Sequence, residues 1–464
     1  MGFSLKLKQN VHVSSAIVVF SHTFIANVIR MKIFKFGGAS LQNYSRIQLV
    51  LDILQTTSHR PLVIVVSAMG KTTNALEKVV EYACHQQPDL ALQMLDDIVA
   101  RHTEIIHELF PEGNARLLQQ LQAFLDPVRN LLTQPQGKSY DALYDQVVSA
   151  GEILSSLIIS ACLHRLQISH DWIDARSIIH TDSRYREAEL NWPQTQQAIT
   201  EKLIPVLQQK GCVLTQGFIG CAPDGSTTTL GREGSDYTAA ILGHVLNAES
   251  VTIWKDVPGL QNADPKLVPD TRTIPEISYR EVIEMAYYGA QVIHPRTIQP
   301  LQQKNIPLLV KCFLDKQLPG TRIHERMPDE PLPPIIVWKK NQVWVEFTTR
   351  DFSFVTEHRI SKLYQVFHQL HIKINLMQNG AISFSCCMDH QPEKLNALIH
   401  DLQHDFEIQY REGMELLTIR HPQNGWHQEL IRDYLVWVEQ KSPNTLQMVV
   451  QHASQASIPV VPVH

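Results

Sequence analysis

Short apolar runs alternate with amphipathic stretches over the first two thirds of the chain. Five runs are β-branched and nearly uninterrupted, which is typical of strands buried on both faces: 33–36, 62–67, 212–215, 251–254 and 307–312. The stretches between them carry apolar residues at helical spacing, as at Val282, Met285 and Ala286. This alternation predicts an α/β domain over residues 31–323, with a mostly parallel sheet covered by helices on both faces. Ligands of such sheets bind beyond the carboxyl ends of the strands.

The pattern changes after a proline- and charge-rich segment, 324–335, which predicts a linker. Residues 336–413 then predict the order βαββαβ, a ferredoxin-like α+β unit. Residues 414–452 predict a partial second unit, with strands at 415–419 and 445–450 and a helix near 426–438. Residues 453–464 read as a loose tail.

Composition narrows the class of protein. The chain has 464 residues, 44% hydrophobic and 19% charged, which indicates a soluble globular protein of two or three domains. A formal charge of −5 argues against a nucleic-acid binder, and no uninterrupted apolar run reaches the roughly 20 residues that span a bilayer. The seven cysteines form no CxxC pair and the 22 histidines have no metal-ligand spacing. Reduced thiols are expected, a metal or disulfide framework being the alternative.

Residues 1–30 form a separate segment. Two lysines precede a short apolar stretch that is broken by polar residues and lacks an A-x-A cleavage site. We expect a leader that is disordered or not native, with Met31 as the natural start. An export signal is the alternative.

The first predicted strand ends in Lys35, followed by Gly37 and Gly38. Glycine amides approach a phosphate closely and the lysine supplies positive charge, although the same residues also suit an ordinary tight turn. The P-loop pattern GxxxxGK[ST] and the dinucleotide pattern GxGxxG are both absent.

Two further segments carry polar candidates. Ser67 and Thr73 follow the second strand and suit a polar ligand, or a strand exit with a helix cap. Glu152 lies in Ser149-Ala150-Gly151-Glu152, before an apolar helix. It is either a solvated residue of a first helical turn or a partner for a substrate ammonium group.

The most informative segment is 227–236, which is rich in threonine and glycine and contains Arg232, Ser235 and Asp236. It predicts a helix that begins near Tyr237, with Asp236 as its cap. Helix N-termini attract anions, and an arginine can hold a carboxylate bidentately.

The fourth strand end carries Trp254, Lys255 and Asp256 before a Pro-Gly turn. Asp264, Pro265 and Lys266 follow shortly afterwards. These residues could hold a nucleotide, although a turn alone explains each of them taken singly.

In this order, the segments resemble aspartate kinase of the amino-acid kinase family. The resemblance covers about residues 32–323 and rests on the motifs KFGG, TQGFIG, TTTLGREGSD, WKDVPG, ADPK and GAQVIHP. It implies a three-layer α/β/α kinase domain, and the βαββαβ region is similar to the ACT repeats that follow it in that family. Since no residues follow 464, a fused homoserine dehydrogenase is not expected.

The resemblance implies that ATP phosphorylates the β-carboxylate of L-aspartate to give 4-phospho-L-aspartate, the first step of lysine, threonine and methionine synthesis, in the cytoplasm. Mg²⁺ would be bound through the ATP phosphates, with no direct protein ligand. Family roles then fall on matching positions. The catalytic residues would be Lys35, Asp236 and Lys255; the aspartate-binding ones Ser67, Thr73, Glu152, Arg232 and Ser235; and the ATP-binding ones Lys35, Gly37, Gly38, Trp254, Lys255, Asp256, Asp264, Pro265 and Lys266.

Three positions depart from the family pattern. Ala39 replaces a threonine, Glu233 replaces a glycine and so adds negative charge near the phosphates, and Gln291 stands where many members have lysine. Lys255, where many members have threonine, is hypothesised to supply the missing charge.

The resemblance also implies regulation by an end product, lysine or threonine, and a homodimer or higher homo-oligomer. Asn375 and Met377 lie where the effector would bind. Some lysine-sensitive relatives have aspartate in place of Asn375, so the sequence leaves the effector undecided.

Alternatives stay open at this point. Glutamate 5-kinase, N-acetylglutamate kinase and UMP kinase share the sheet but are not expected to combine TTLGREGSD with an ACT region. A catalytically inactive amino-acid sensor would retain the folds, and the three departures favour it. A structural protein that merely binds ATP is a further alternative.

Overall fold

The computed structural model describes residues 31–57, 61–134, 137–291, 293–326, 331–423, 425, 427–455 and 461–463. The predicted leader, 1–30, lies outside the described residues, as do residues 327–330 of the predicted linker.

The N-terminal domain contains ten strands and nine helices among its described residues. The strands are β1 (Lys32–Phe36), β2 (Leu62–Val66), β3 (Asp171–Ile173), β4 (Cys212–Gln216), β5 (Ile219–Cys221), β6 (Thr227–Thr229), β7 (Ser250–Lys255), β8 (Glu276–Ser278), β9 (Leu308–Cys312) and β10 (Thr321–His324). The helices are α1 (Tyr44–Thr56), α2 (Thr72–Cys84), α3 (Pro88–Leu109), α4 (Ala115–Thr133), α5 (Tyr140–Arg165), α6 (Trp192–Lys210), α7 (Gly234–Leu246), α8 (Tyr279–Tyr288) and α9 (Pro295–Gln303).

Eight of these strands form one sheet, in the order β3-β4-β2-β1-β7-β9-β10-β8. All neighbours from β3 to β9 are parallel, and only the β9–β10 pair is antiparallel. The five strands predicted from apolar runs are confirmed. They are central because residues of both pleat faces are apolar, so both faces can be buried.

Helices cover the sheet on both faces. Alternate residues of β1 point to opposite sides: Phe34 and Phe36 join the core with α1–α5, and Ile33 joins the core with α6–α9. Helix α5 is 26 residues long and is the one described helix apolar enough to span a membrane by composition, yet 83% of its apolar stretch is buried inside the protein. It is therefore a core helix of the domain.

The C-terminal region forms a second sheet. Its elements are β11 (Ile335–Thr349), α10 (Glu357–Gln369), β12 (Ile374–Asn379), β13 (Ser383–Asp389), α11 (Pro392–Leu402), β14 (Phe406–Arg420), α12 (His427–Leu430), β15 (Tyr434–Ser442), β16 (Thr445–His452) and β17 (Val461–Val463). The strand order is β12-β13-β11-β14-β16-β15, with β17 beside β14. The ferredoxin-like βαββαβ order is confirmed for β11 to β14.

Two C-terminal predictions are wrong. The helix expected near 426–438 is only the four residues of α12, because the β-branched and aromatic run after Asp433 pairs as β15 with β16 across Pro443-Asn444, a turn-forming dipeptide. The expected loose tail includes β17, which pairs with β14. The proposed unit boundary at 413/414 falls within the 15-residue β14, which runs on into the second unit.

Helix α8 joins the two sheets through a buried ion pair. Arg420 of β14 donates to both carboxylate oxygens of Glu281, at 2.6 and 3.2 Å, and His421 lies 3.1 Å away. Burial alone would raise the pKa of Glu281, but the hydrogen bonds from His421 and Arg420 outweigh it and hold that pKa at about 2. Because a buried charge left without its partner is costly, this pair fixes α8 against the C-terminal sheet.

Candidate active site

The carboxyl ends of β1, β2, β4 and β7 meet at one edge of the sheet. Phe36, the last residue of β1, is in register with Val66 and Trp254, so the segments that follow these strands start side by side. A cavity of about 1100 Å³ lies beyond this edge. The chemistry-bearing segments of the sequence therefore converge in space, as expected for a parallel sheet.

Most of the predicted site residues line this one cavity: Lys35, Gly37, Gly38, Ser67, Thr73, Glu152, Arg232, Ser235, Asp236, Trp254, Lys255 and Asp256. Asp264, Pro265 and Lys266 are exposed and do not line it. Their loop instead packs on the C-terminal sheet, where Val268 contacts the cluster of Leu417 and Met448.

A buried ion pair lies at the centre of the cavity wall. Lys35 Nζ is 2.6 Å from Asp236 Oδ1, and the two side chains are 11% and 4% exposed. Asp236 is the third residue of α7, which begins at Gly234, so the prediction of a helix start near Tyr237 with Asp236 as cap is wrong. Glu233 takes the N-cap position, and the Asp236 carboxylate is free to face the strand end.

The glycines after β1 allow two strand exits to approach each other. A Cβ at Gly38 would lie 2.6 Å from the carbonyl oxygen of Gly70 and 2.9 Å from that of Ala68. Gly70 donates its N–H to the Gly38 carbonyl at 2.9 Å. Any larger residue at position 38 would push the β1 and β2 exits apart and open the cavity floor.

Glu152 is a buried carboxylate in the middle of α5, not in a first helical turn as one reading of the sequence had it. Gly151 lets α5 approach the β2 exit, because a Cβ there would lie 2.9 Å from the Ala68 Cβ. Glu152 Oε1 accepts a long hydrogen bond from the Ala68 N–H, at 3.3 Å, and Oε2 has no hydrogen-bond partner among the described residues. Burial raises the pKa of Glu152 to about 8.

The loop before α7 carries two oppositely charged side chains with different surroundings. Arg232 is exposed on the cavity wall and makes no hydrogen bond or ion pair within the described part of the chain. Glu233 also lines the cavity, but its Oε2 accepts a hydrogen bond from the His294 N–H at 2.8 Å. The carboxylate is thus tied to the start of α9, and its predicted contribution of negative charge near the phosphates stays a prediction.

Several cavity residues were missed by sequence reasoning: Asp141, Tyr144, Arg184, Tyr185, Arg186, Glu187 and Phe218. The segment 184–187 is irregular and lies far along the chain from the other loops. Asp145 of α5 holds it by accepting from the Arg186 N–H, while also accepting from the N–H and hydroxyl of Thr229. Phe218 follows β4 within TQGFIG. Its position just beyond a strand end could have identified it as a cavity residue from the sequence.

The predicted effector residues lie in the C-terminal sheet. Asn375 donates to Asp389 at 3.0 Å and to Gln342 at 2.8 Å, and accepts from Lys339 Nζ at 3.0 Å. Lys339 also forms an ion pair with Asp389, at 3.0 Å. Met377 is half exposed and accepts a hydrogen bond from the Tyr364 hydroxyl. The polar groups around Asn375 are therefore already paired with one another.

Comparison with known proteins shows to which family this fold belongs. The amino acid kinase family model matches residues 30–312. The chain belongs to the amino acid kinase family. Within this family it is 31% identical over 401 residues to lysine-sensitive aspartokinase 3 of Escherichia coli (strain K12), covering 83% of this chain and 86% of that protein. It is 28% identical to chloroplastic aspartokinase 1 of Arabidopsis thaliana, over 92% of this chain and 76% of that protein.

Solved structures of this family support the same family assignment. E. coli aspartokinase III in complex with lysine and aspartate matches with a TM-score of 0.77 at 26% identity, over 92% of this chain and 97% of that one. The same enzyme in complex with aspartate and ADP matches with a TM-score of 0.75 over the same shares. The likeness therefore extends over both sheets of this amino acid kinase and not over the kinase domain alone.

The buried Glu152 predicts a pH-dependent stability change. Because its folded-state pKa of about 8 lies above the ordinary value of 4.5, ionisation in the folded state costs free energy as pH rises from 4.5 to 8. Glu152→Gln removes this cost while keeping the shape. We expect the free energy of unfolding of the variant to match that of the wild type near pH 4.5 and to exceed it by on the order of 4 kcal/mol at pH 8. Denaturant unfolding across this range measures it, and a difference independent of pH would contradict the assignment.

Proposed function

We propose that this chain is an aspartate kinase, which transfers the γ-phosphoryl group of ATP to the β-carboxylate of L-aspartate. The observation that carries the proposal is the convergence of Lys35, Arg232, Asp236 and Glu152 on one cavity at the strand ends. The aspartokinase relatives, one of them solved with aspartate and ADP, support the choice of substrates.

The cavity offers complementary partners for an amino acid. Arg232 makes no hydrogen bond or ion pair with the residues that the structure describes and can hold the α-carboxylate bidentately. Glu152 offers a buried, unsatisfied oxygen to the α-ammonium group, and Ser67, Thr73 and Ser235 lie on the same wall. A bound ammonium group would lower the pKa of Glu152, so binding in the ionised form is favoured by the substrate itself.

The reaction needs positioning and neutralisation of charge more than proton transfer. An oxygen of the aspartate β-carboxylate attacks the γ-phosphorus, the bond to the β–γ bridging oxygen breaks, and ADP leaves with that electron pair. The carboxylate is already ionised at neutral pH, so no general base is required. Lys35, anchored by Asp236, would stabilise the charge on the transferring group, as phosphoryl transfer demands.

The nucleotide would lie along the exits of β1 and β7. The amides of Gly37 and Gly38 can donate to phosphate oxygens, and Trp254, Lys255 and Asp256 line the same cavity from the neighbouring strand β7. Mg²⁺ accompanying ATP would neutralise phosphate charge.

A coupled assay of ADP release tests the proposed function. We expect ADP formation that depends on L-aspartate and not on L-glutamate or N-acetyl-L-glutamate, because the side chain of glutamate is one methylene longer and N-acetyl-L-glutamate lacks the α-ammonium group that Glu152 would hold. ADP formation with another acceptor would assign a different kinase. Aspartate binding without ADP formation would favour the inactive sensor.

Lys35 and Lys255 are expected to neutralise the negative charge on the phosphoryl group during its transfer. Lys35→Ala should lower kcat by about a hundredfold or more, since a well-placed charged donor is worth roughly 3–4 kcal/mol. Lys255→Met should lower kcat to a smaller extent, because Lys255 lines the cavity whereas Gln291, where relatives have lysine, does not. Steady-state kinetics decide both, with Lys304→Met, an exposed lysine at the end of α9, as control. Unchanged kcat in the Lys255 variant would remove the compensation hypothesis.

In its cellular role the chain would act as a soluble cytoplasmic enzyme at the start of lysine, threonine and methionine synthesis. We propose a homodimer or higher oligomer, because the edge strand β15 exposes Leu435, Val436 and Trp437. Sedimentation of the purified protein measures this. Feedback by lysine or threonine is proposed from the lysine complex of the E. coli relative.

The network around Asn375 predicts a weak response to lysine. Asp389 supplies a carboxylate, but the Lys339 ammonium group already pairs with it and with Asn375. Lys339→Met removes this internal cation and should lower the lysine concentration for half-inhibition by about tenfold, consistent with a vacated charge-assisted hydrogen bond. Inhibition curves with lysine and threonine check it, with Lys340→Met as the neighbouring control. Equal lysine sensitivity in all three proteins would contradict the prediction.

A further inference from the structure

The loop that carries Arg232 is attached from behind to the start of helix α9. Glu233 Oε2 accepts from the His294 N–H at 2.8 Å. Two residues further along, Arg296 Nη1 donates to the Leu230 carbonyl at 3.1 Å. The Arg296 guanidinium also lies over the Tyr237 ring, with its carbon 4.9 Å from the ring centroid. These contacts bind the loop on both sides of Arg232.

The backbone at Glu233 supports a dedicated role for its side chain. Glu233 has φ +53° and ψ +27°, the left-handed region in which glycine is favoured and other residues are strained. Glycine at this position would remove the strain and also the carboxylate. A strained glutamate whose carboxylate makes a 2.8 Å contact with another element points to a function of that contact.

Arg232 depends on this attachment for its direction. Its guanidinium makes no hydrogen bond or ion pair with the described residues, so its placement follows the backbone between Leu230 and Glu233. Gly231, immediately before it, has φ +75°, a backbone conformation that glycine adopts without the strain other residues would incur. A bidentate grip on a carboxylate tolerates little misplacement.

We propose that Glu233 and Arg296 are positioning residues that hold the 230–234 loop against α9 and so direct Arg232 at the α-carboxylate of the amino-acid substrate. This inference rests on the proposed function, because it assigns the selectivity of the site for its phosphoryl acceptor, aspartate, to the contacts that Glu233 and Arg296 make with α9 and the loop. Lys35, Gly37 and Gly38 reach the nucleotide from β1 and do not depend on it. Loss of the Glu233 or Arg296 contact therefore weakens aspartate binding and leaves ATP binding unchanged.

The test compares KM values for aspartate and ATP in matched variants. Glu233→Ala, Glu233→Gly and Arg296→Met should each raise KM for aspartate by about tenfold, with KM for ATP within about twofold of wild type. Glu233→Gln should stay close to wild type, since its amide oxygen still accepts from the His294 N–H. Glu108→Ala, an exposed glutamate of α3, is the control for loss of one negative charge.

Folding and function are separated by two further measurements. Glu233→Gly relieves the left-handed strain and should melt no lower than wild type, so a raised KM in that variant cannot come from unfolding. The double variant of Glu233→Ala with Arg296→Met should raise KM for aspartate by less than the product of the single effects, because both contacts hold one loop.

The outcomes separate failure of the positioning role from failure of the proposed aspartate kinase activity. If the wild type shows no aspartate-dependent ADP release, the proposed function fails and this inference fails with it. If the wild type is active and Glu233→Gly leaves KM for aspartate unchanged, or raises both KM values equally, only the positioning role is overturned.

Discussion

The buried ion pair between Lys35 and Asp236 constrains the rest of the catalytic domain. A lysine and an aspartate with side chains about a tenth exposed or less are stable only together, because either one alone would leave an uncompensated charge in the core. The pair requires the end of β1 and the first turn of α7 to lie within hydrogen-bond reach. The parallel order β2-β1-β7 places the end of β1 at this edge of the sheet, and the absence of a Cβ at Gly37, where one would lie 3.2 Å from Lys35 Nζ, leaves room for the lysine.

The same strand edge explains why the two substrates can meet. The exits of β1 and β7 provide the donors and charges of the nucleotide side, whereas α5 and the loop before α7 provide Glu152 and Arg232. An amino acid whose α-groups are held by Arg232 and Glu152 would therefore present its side-chain carboxylate to Lys35. The Arg420–Glu281 pair fixes α8 of this domain against the C-terminal sheet.

Sequence patterns predicted the central strands and the convergence of their exits, because period and burial are local properties of the chain. They failed where a long-range contact decides. Glu152 was placed in a first turn as one alternative, but α5 starts twelve residues earlier and passes the β2 exit at Gly151. Asp236 was expected to cap α7, yet Glu233 occupies the N-cap position in a strained conformation, without a capping hydrogen bond from its side chain. The pairing of β15 with β16 likewise overrode a locally helical start near His427.

The most direct measurement of the central claim is the turnover of the Asp236→Asn variant at saturating ATP and aspartate, alongside its affinity for ADP. The variant keeps the size of the side chain and removes the charge that anchors Lys35. A fall in kcat of about a hundredfold or more with ADP binding retained is the predicted result. A kcat within about twofold of wild type would show that the ion pair does not position the lysine for phosphoryl transfer.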